Sequence, residues 1–184
     1  MNILLKKDLY RYEGDNSHSL FIQFKYIFLV PGFTYTFYLR NAQHAKLRVV
    51  RLLCKVLLRI TSYITNIQIP VETSIGEGLY IGHWGTIIVN PETKIGKNFN
   101  IYPGCLIGYS LGKKSGVPVI GNNVSMRCNS IIVGGVKIGD NVLIAPGAFV
   151  NFDVPDNCIV IGNPGRIIER QSSPTEKYIV FPGY

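Results

Sequence analysis

One histidine interrupts an apolar, glycine-rich stretch, GLYIGHWGTIIV (residues 78–89). Imidazole is matched to taking a hydroxyl proton at neutral pH, and one positioned histidine accelerates such a transfer roughly 10²–10⁴-fold. His83 is therefore the candidate general base, the alternative being a turn residue satisfied by its surroundings. Tyr80 and Trp84 flank it, and Tyr102 and Tyr109 follow. Such rings hold the apolar face of an acceptor and hydrogen-bond through their polar ends, or they simply pack. His18 and His44 lie outside this region and receive no role. The four cysteines, Cys54, Cys105, Cys128 and Cys158, form no CxxC pair and no cluster with histidine, so reduced, mostly buried thiols and no metal are expected.

The chain has 184 residues, 47% of them hydrophobic and 16% charged, which fits one folded domain with a short appendage. Its net charge of +8 implies an anionic partner: a phosphate-rich cofactor, an acidic membrane surface or nucleic acid. Nucleic acid has only the charge in its favour. The opening MNILLKKDLYRYEGD turns charged too soon for a signal peptide. Lys25 interrupts the best apolar run, and a bilayer span needs ~20 apolar residues. A cytoplasmic location follows, with contact at the inner face of the cell membrane left open.

Beyond about residue 66 the rhythm changes from helical to a period of six. Ile69, Ile75, Ile81 and Ile87 keep the count, and after a slip of two it resumes at Val89, Ile95, Ile101 and Ile107. A loop intervenes, and Ile120, Met126, Ile132, Ile138, Ile144 and Val150 carry it on. Neither a helix nor an alternating strand has that period. Short strands separated by turns do, as in IGKNFN, IGNNVS and IGDNVL, each aliphatic stacking on its equivalent one coil away at ~4.8 Å. The slip at His83 reads as a bulge that re-aims a side chain at a coil corner.

These residues resemble the hexapeptide-repeat acyltransferases over about 69–168, and VPDNCIVIGNPGRII resembles the end of their β-helix. The resemblance implies a mainly β fold, a left-handed parallel β-helix with an N-terminal helical segment, and a homotrimer with sites between subunits. The expected divisions are 1–66 (helical), 67–170 (β-helix) and 171–184 (tail). KDLYRY and PGFTYTFYLR resemble the helical entry of serine-acetyltransferase-like proteins of surface-polysaccharide pathways. The next helix, AKLRVVRLLCKVLLRITSYI, carries Arg48, Arg51, Lys55 and Arg59 on one stripe, either a solvated face or a contact with anionic lipid.

GLYIGHWGTIIV is similar to the segment carrying the catalytic histidine of serine acetyltransferases, and His83 falls on that position. The resemblance implies acetyl-coenzyme A as co-substrate. Cys128, Ala145 and Pro146 match positions touching the pantetheine, and Arg166 matches a basic residue near the nucleotide phosphates. Lys113 and Lys114 lie in the loop YSLGKKSGVP and either lean over the cofactor or keep the loop solvated. Phe152 stands at a familiar lysine position. Gln68 replaces an aspartate that orients the histidine, Gly82 replaces the acidic residue before it, and Gly116 and Val117 replace an Arg-His pair. Glu72, Glu92, a backbone carbonyl or a neighbouring subunit remain as partners for His83.

An amino-acid acceptor needs its charges paired, and those groups are missing at the matched positions. The expected activity is therefore O-acetylation of a sugar hydroxyl in surface-polysaccharide biosynthesis, with Tyr80, Trp84, Tyr102 and Tyr109 holding the acceptor. Its rivals are serine O-acetylation in cysteine biosynthesis and a non-catalytic β-helix scaffold.

Overall fold

The structure, a computed structural model, describes residues 2–182. Strands of two to four residues form three parallel sheets that wrap into a triangular prism. The first wall stacks strands at 67–68, 87–89, 106–108, 131–133 and 149–150; the second stacks 74–75, 94–95, 119–120 and 137–138. The third stacks 80–81, 100–101, 125–126, 143–144 and 158–161, and an antiparallel return at 166–169 closes it. This is a left-handed parallel β-helix preceded by helices, as expected.

The period of six becomes one aliphatic column inside each wall. Ile75, Ile95, Ile120 and Ile138 register in the second wall, and Ile81, Ile101, Met126, Ile144 and Val160 in the third. In the first wall the column is Val89, Ile107, Ile132 and Val150. Ile87, counted above as the fourth beat, instead pairs with Ile67 as a second inward position. The two-residue surplus is visible in the pairing: Ile131 meets Phe149, whereas Ile67 meets Ile87. It falls at the corner holding His83.

The corner between the second and third walls is held by a polar ladder. Asn98, Asn123, Asn141 and Asn157 all adopt positive φ, between 54° and 57°, which asparagine tolerates. Each amide donates to the next at 3.0 Å. The loop after residue 108 leaves from the corner between the first and second walls, pairs Ser110 with Gly116, and is tied down by Lys114 to Asp153.

Helices α1 (Ile3–Glu13), α2 (Leu20–Leu29), α3 (Pro31–His44) and α4 (Arg48–Thr65) close the open end of the prism. An open parallel end presents backbone groups that need partners, and side chains of α1 and α3 supply them. Asp8 accepts from the N–H groups of Gly78 and Leu79, both at 2.8 Å. Arg40 donates to the carbonyls of Ile75 and Gly76 at 2.8 and 2.6 Å and pairs with Asp8 at 2.8 Å. The Tyr35 and Tyr12 hydroxyls each accept the N–H of one residue and donate to its carbonyl, Ile69 and Ile81 respectively.

The basic stripe of α4 partly lines a groove of about 450 Å³, in which Lys55 and Arg59 face Gln68 and Glu72. Among the described residues, no helix is long and apolar enough to cross a membrane.

The Asp8–Arg40 pair is almost fully buried, at 0% and 1% side-chain exposure. Removing one partner from such a pair leaves an uncompensated charge and typically costs about 3–5 kcal/mol. Arg40→Met is expected to destabilise by that amount in urea unfolding, and Asp8→Leu/Arg40→Met to recover part of the loss.

Candidate active site

The corner between the third and first walls collects the residues with chemical potential. From one coil to the next it carries His83, Pro103, Cys128 and Pro146. The register of the preceding strands gives that order; the backbone ladder continues it as Asn129 donates to Pro103 and Gly147 to Cys128, while Gly104 donates to Thr86, on the far side of the His83 bulge. His83 and Trp84 occupy the two-residue surplus and are exposed, Trp84 at 59%. Sequence spacing alone had placed His83 at a bulge, and the fold puts that bulge on an edge shared with Cys128, Ala145 and Pro146.

The position just before each corner forms a second column, Gly82, Tyr102, Arg127 and Ala145, which follows from the register of Ile81, Ile101, Met126 and Ile144. Tyr102 lies across Gly82 so closely that a Cβ there would collide with the ring. Its centroid is 6.4 Å from that of His83. Arg127 then stacks on Tyr102, its guanidinium carbon 4.0 Å from the ring centre, with Tyr178 at 4.9 Å on the same guanidinium. Sequence reading missed Arg127, since its spacing from His83 signals nothing until the coils are stacked.

Tyr80 sits on the same wall, 6.1 Å from Tyr102 and 4.4 Å from Tyr12. Burial raises its phenol pKa, as does Tyr102, while Arg11 and Arg127 oppose the rise. Arg11 is buried beneath, donating to the Gly78 carbonyl, the Asn100 side chain and the Val180 carbonyl. Desolvation lowers its pKa to about 10. The tail packs here on its own chain: Asn100 donates to Tyr178 O at 2.9 Å, and Thr175 to Asn123 O at 2.9 Å.

Other candidates lie elsewhere. Tyr109, Lys113 and Lys114 belong to the loop at the corner between the first and second walls, where Tyr109 bonds Ser115 and Lys114 bonds Asp153. One chain does not bring them to His83. Glu72 and Glu92 share that other corner, whose turns run from Pro70 to Thr73 and from Asn90 to Thr93, and Gln68 faces the groove under α4. None of these orients the imidazole, which makes no hydrogen bond among the described residues. Arg166 is exposed in the closing return, opposite Ile161.

Cys105 is unsuited to nucleophilic attack. It is 1% exposed, its thiol donates toward the Arg127 carbonyl at 3.2 Å, and burial raises its pKa. Among the described residues there is no group of three or more His, Cys, Asp or Glu able to hold a metal.

Gly82→Ala is expected to push the Tyr102 ring off His83 and Arg127. Overpacking of this kind typically costs about 1–3 kcal/mol, read by urea unfolding together with a changed near-ultraviolet tyrosine signal.

Residues 118–151 match the family described as Bacterial transferase hexapeptide (six repeats). A serine acetyltransferase of Synechococcus elongatus is 33% identical over 118 residues, 63% of this chain and 48% of that protein. One from Helicobacter pylori is 29% identical over 146 residues, 78% of this chain and 85% of that protein. A crystal structure of serine acetyltransferase from Brucella abortus superposes with a TM-score of 0.74 at 25% identity, covering 91% of this chain and 68% of that one. The chain spans about half the length of the Synechococcus protein. These likenesses overturn the sugar acceptor and the surface-polysaccharide role expected from the sequence. That expectation rested on charged groups missing at Gln68, Gly82, Gly116 and Val117. In sequence and in fold the chain is similar to serine acetyltransferases, and it carries the hexapeptide-repeat β-helix.

Proposed function

We propose that this chain is an acetyl-coenzyme A-dependent O-acetyltransferase with serine as acceptor and His83 as general base. The observation that carries the reading is that His83 stands on the same corner edge as Cys128 and Pro146, on a chain similar to serine acetyltransferases.

That edge suits an extended amide arm. The Cys128 carbonyl is engaged by Gly147 N–H, and the Ala145 N–H by the Val160 carbonyl. The Cys128 N–H and the Pro146 carbonyl make no hydrogen bond among the described residues, leaving one donor and one acceptor about one coil, ~4.8 Å, apart. Pantetheine amides would lie there, with Arg166 toward the phosphate end, where guanidinium geometry matches phosphate. Bound acetyl-coenzyme A supplies the thioester to be attacked.

His83 takes the proton of the acceptor hydroxyl as its oxygen attacks the thioester carbonyl. The tetrahedral oxyanion is stabilised by backbone N–H donors. Its collapse expels the thiolate, and the imidazolium returns the proton to sulfur. No enzyme nucleophile is needed, in keeping with the burial of Cys105. The active unit in this reading is a homotrimer, in which a neighbouring subunit would supply the missing imidazole partner and bring Lys113 and Tyr109 toward the edge.

The test is thiol release from acetyl-coenzyme A with L-serine and with a panel of sugars. Serine-dependent release is expected, and no release with serine would sink the reading; silence with every acceptor would favour a scaffold. His83 is exposed, so His83→Ala should fold normally while turnover falls by roughly 10²–10⁴-fold. Full turnover in a folded His83→Ala protein would remove the general-base role.

A further inference from the structure

Helix α4 has three faces where an ordinary surface helix has two. Cys54, Leu58, Thr61 and Thr65 are buried against the chain. Arg48, Arg51, Lys55 and Arg59 run beside them as an exposed basic stripe. The remaining arc, about 120° wide from the helical pitch, holds Leu52, Leu53, Val56, Ile60, Tyr63 and Ile64, each 49–70% exposed. It is a wider face than the buried one. Helix α2 repeats the theme, with no buried residue along its length and with Leu20, Phe21, Phe24 and Phe28 exposed. Both helices pack on α3. Single exposed apolar residues are ordinary, but a contiguous apolar face of this kind marks a contact surface.

The charges around that face select its partner. No Asp or Glu occurs between Asp15 and Glu72, whereas Lys25, Lys46, Arg48, Arg51, Lys55 and Arg59 are all exposed. None of these six forms an ion pair among the described residues, and Glu72 shares the groove of Lys55 and Arg59 without pairing with either. A second copy placed face to face would set cations against cations with no acid on either side. A nucleic acid would meet the cations and leave the leucines and phenylalanines in water. An anionic bilayer surface meets both demands, because its headgroups take the cations and its acyl boundary takes the apolar side chains. Arginine and lysine stems at the edge of the apolar arc reach outward to such headgroups, and Tyr63 has an apolar body and a polar tip suited to the boundary. We infer that α4, assisted by α2, lays its exposed apolar arc into the headgroup region of an anionic membrane, with Arg48, Arg51, Lys55 and Arg59 on the lipid phosphates. The contact is peripheral, since four cations along α4 let it lie on a bilayer and no helix among the described residues can cross one. It is independent of which acceptor the enzyme acetylates.

The experiment is co-flotation of the full chain with vesicles of phosphatidylcholine carrying about one third phosphatidylglycerol, and with vesicles of phosphatidylcholine alone. Binding to the anionic vesicles is expected, and it should weaken as salt rises. Each cation near such a surface is worth roughly fivefold in affinity, so replacing Arg48, Arg51, Lys55 and Arg59 together by Gln should weaken binding about 10²–10³-fold. Leu53→Ser/Val56→Ser/Ile60→Ser keeps every cation and should abolish binding, because the apolar part of the contact is gone. All of these side chains are exposed, so unfolding curves should match the wild type; Arg51→Glu, a single change, gives the same direction should the fourfold variant fail to fold. Absence of wild-type binding would overturn the inference. Full binding by the triple-serine protein would do so too, by reducing the contact to adsorption of charge. A triple-serine protein whose oligomeric state in lipid-free light scattering differs from that of the wild type would instead place the arc between copies of the chain, and would equally refute a membrane contact.

Discussion

The constraint on which the rest depends is the parallel ladder between coils. Each strand pairs with its counterpart one coil away, at the ~4.8 Å separation of β-strands. A residue is thereby locked above its equivalent, and any property repeated in sequence becomes a column in space. Aliphatics make the core this way, asparagines make a corner ladder, and Gly82, Tyr102 and Arg127 make the face beside His83. Without the ladder these residues would be unrelated positions along a chain.

Columns need an end, and the N-terminal helices provide it. Asp8, Arg40, Tyr12 and Tyr35 satisfy the backbone groups of the first coil, and Arg11 continues the contact to Asn100 and the tail. That capping stands directly above the candidate site, since Tyr12 bonds Ile81 and stacks on Tyr80. Closing the prism and shaping the wall next to His83 are thus done by one group of side chains.

The local exception to the repeat is where the proposed general base projects. The two extra residues put His83 and Trp84 outside the core without ending the ladder, which resumes when the Gly104 N–H reaches the Thr86 carbonyl. Glycine at position 82 then admits the Tyr102 ring, and the absence of an acidic side chain there becomes part of the geometry.

The β-helix and the slip at His83 were legible in the sequence, because a period of six and a break in it are local properties of the chain. The acceptor was misread for the same reason. Cations were sought at Gly116 and Val117, in a loop that leaves by another corner, and were found missing. Arg127 carries no sequence mark, being 44 residues beyond His83 in number, and it reaches the Tyr102 face only through the ladder. The tail was equally opaque: Tyr178 joins Arg127 through a hydrogen bond from Asn100, a contact between segments that no periodicity links. Repetition is written in the order of residues, whereas the convergence of His83, Tyr102, Arg127 and Tyr178 exists only after stacking and capping bring distant segments to one face.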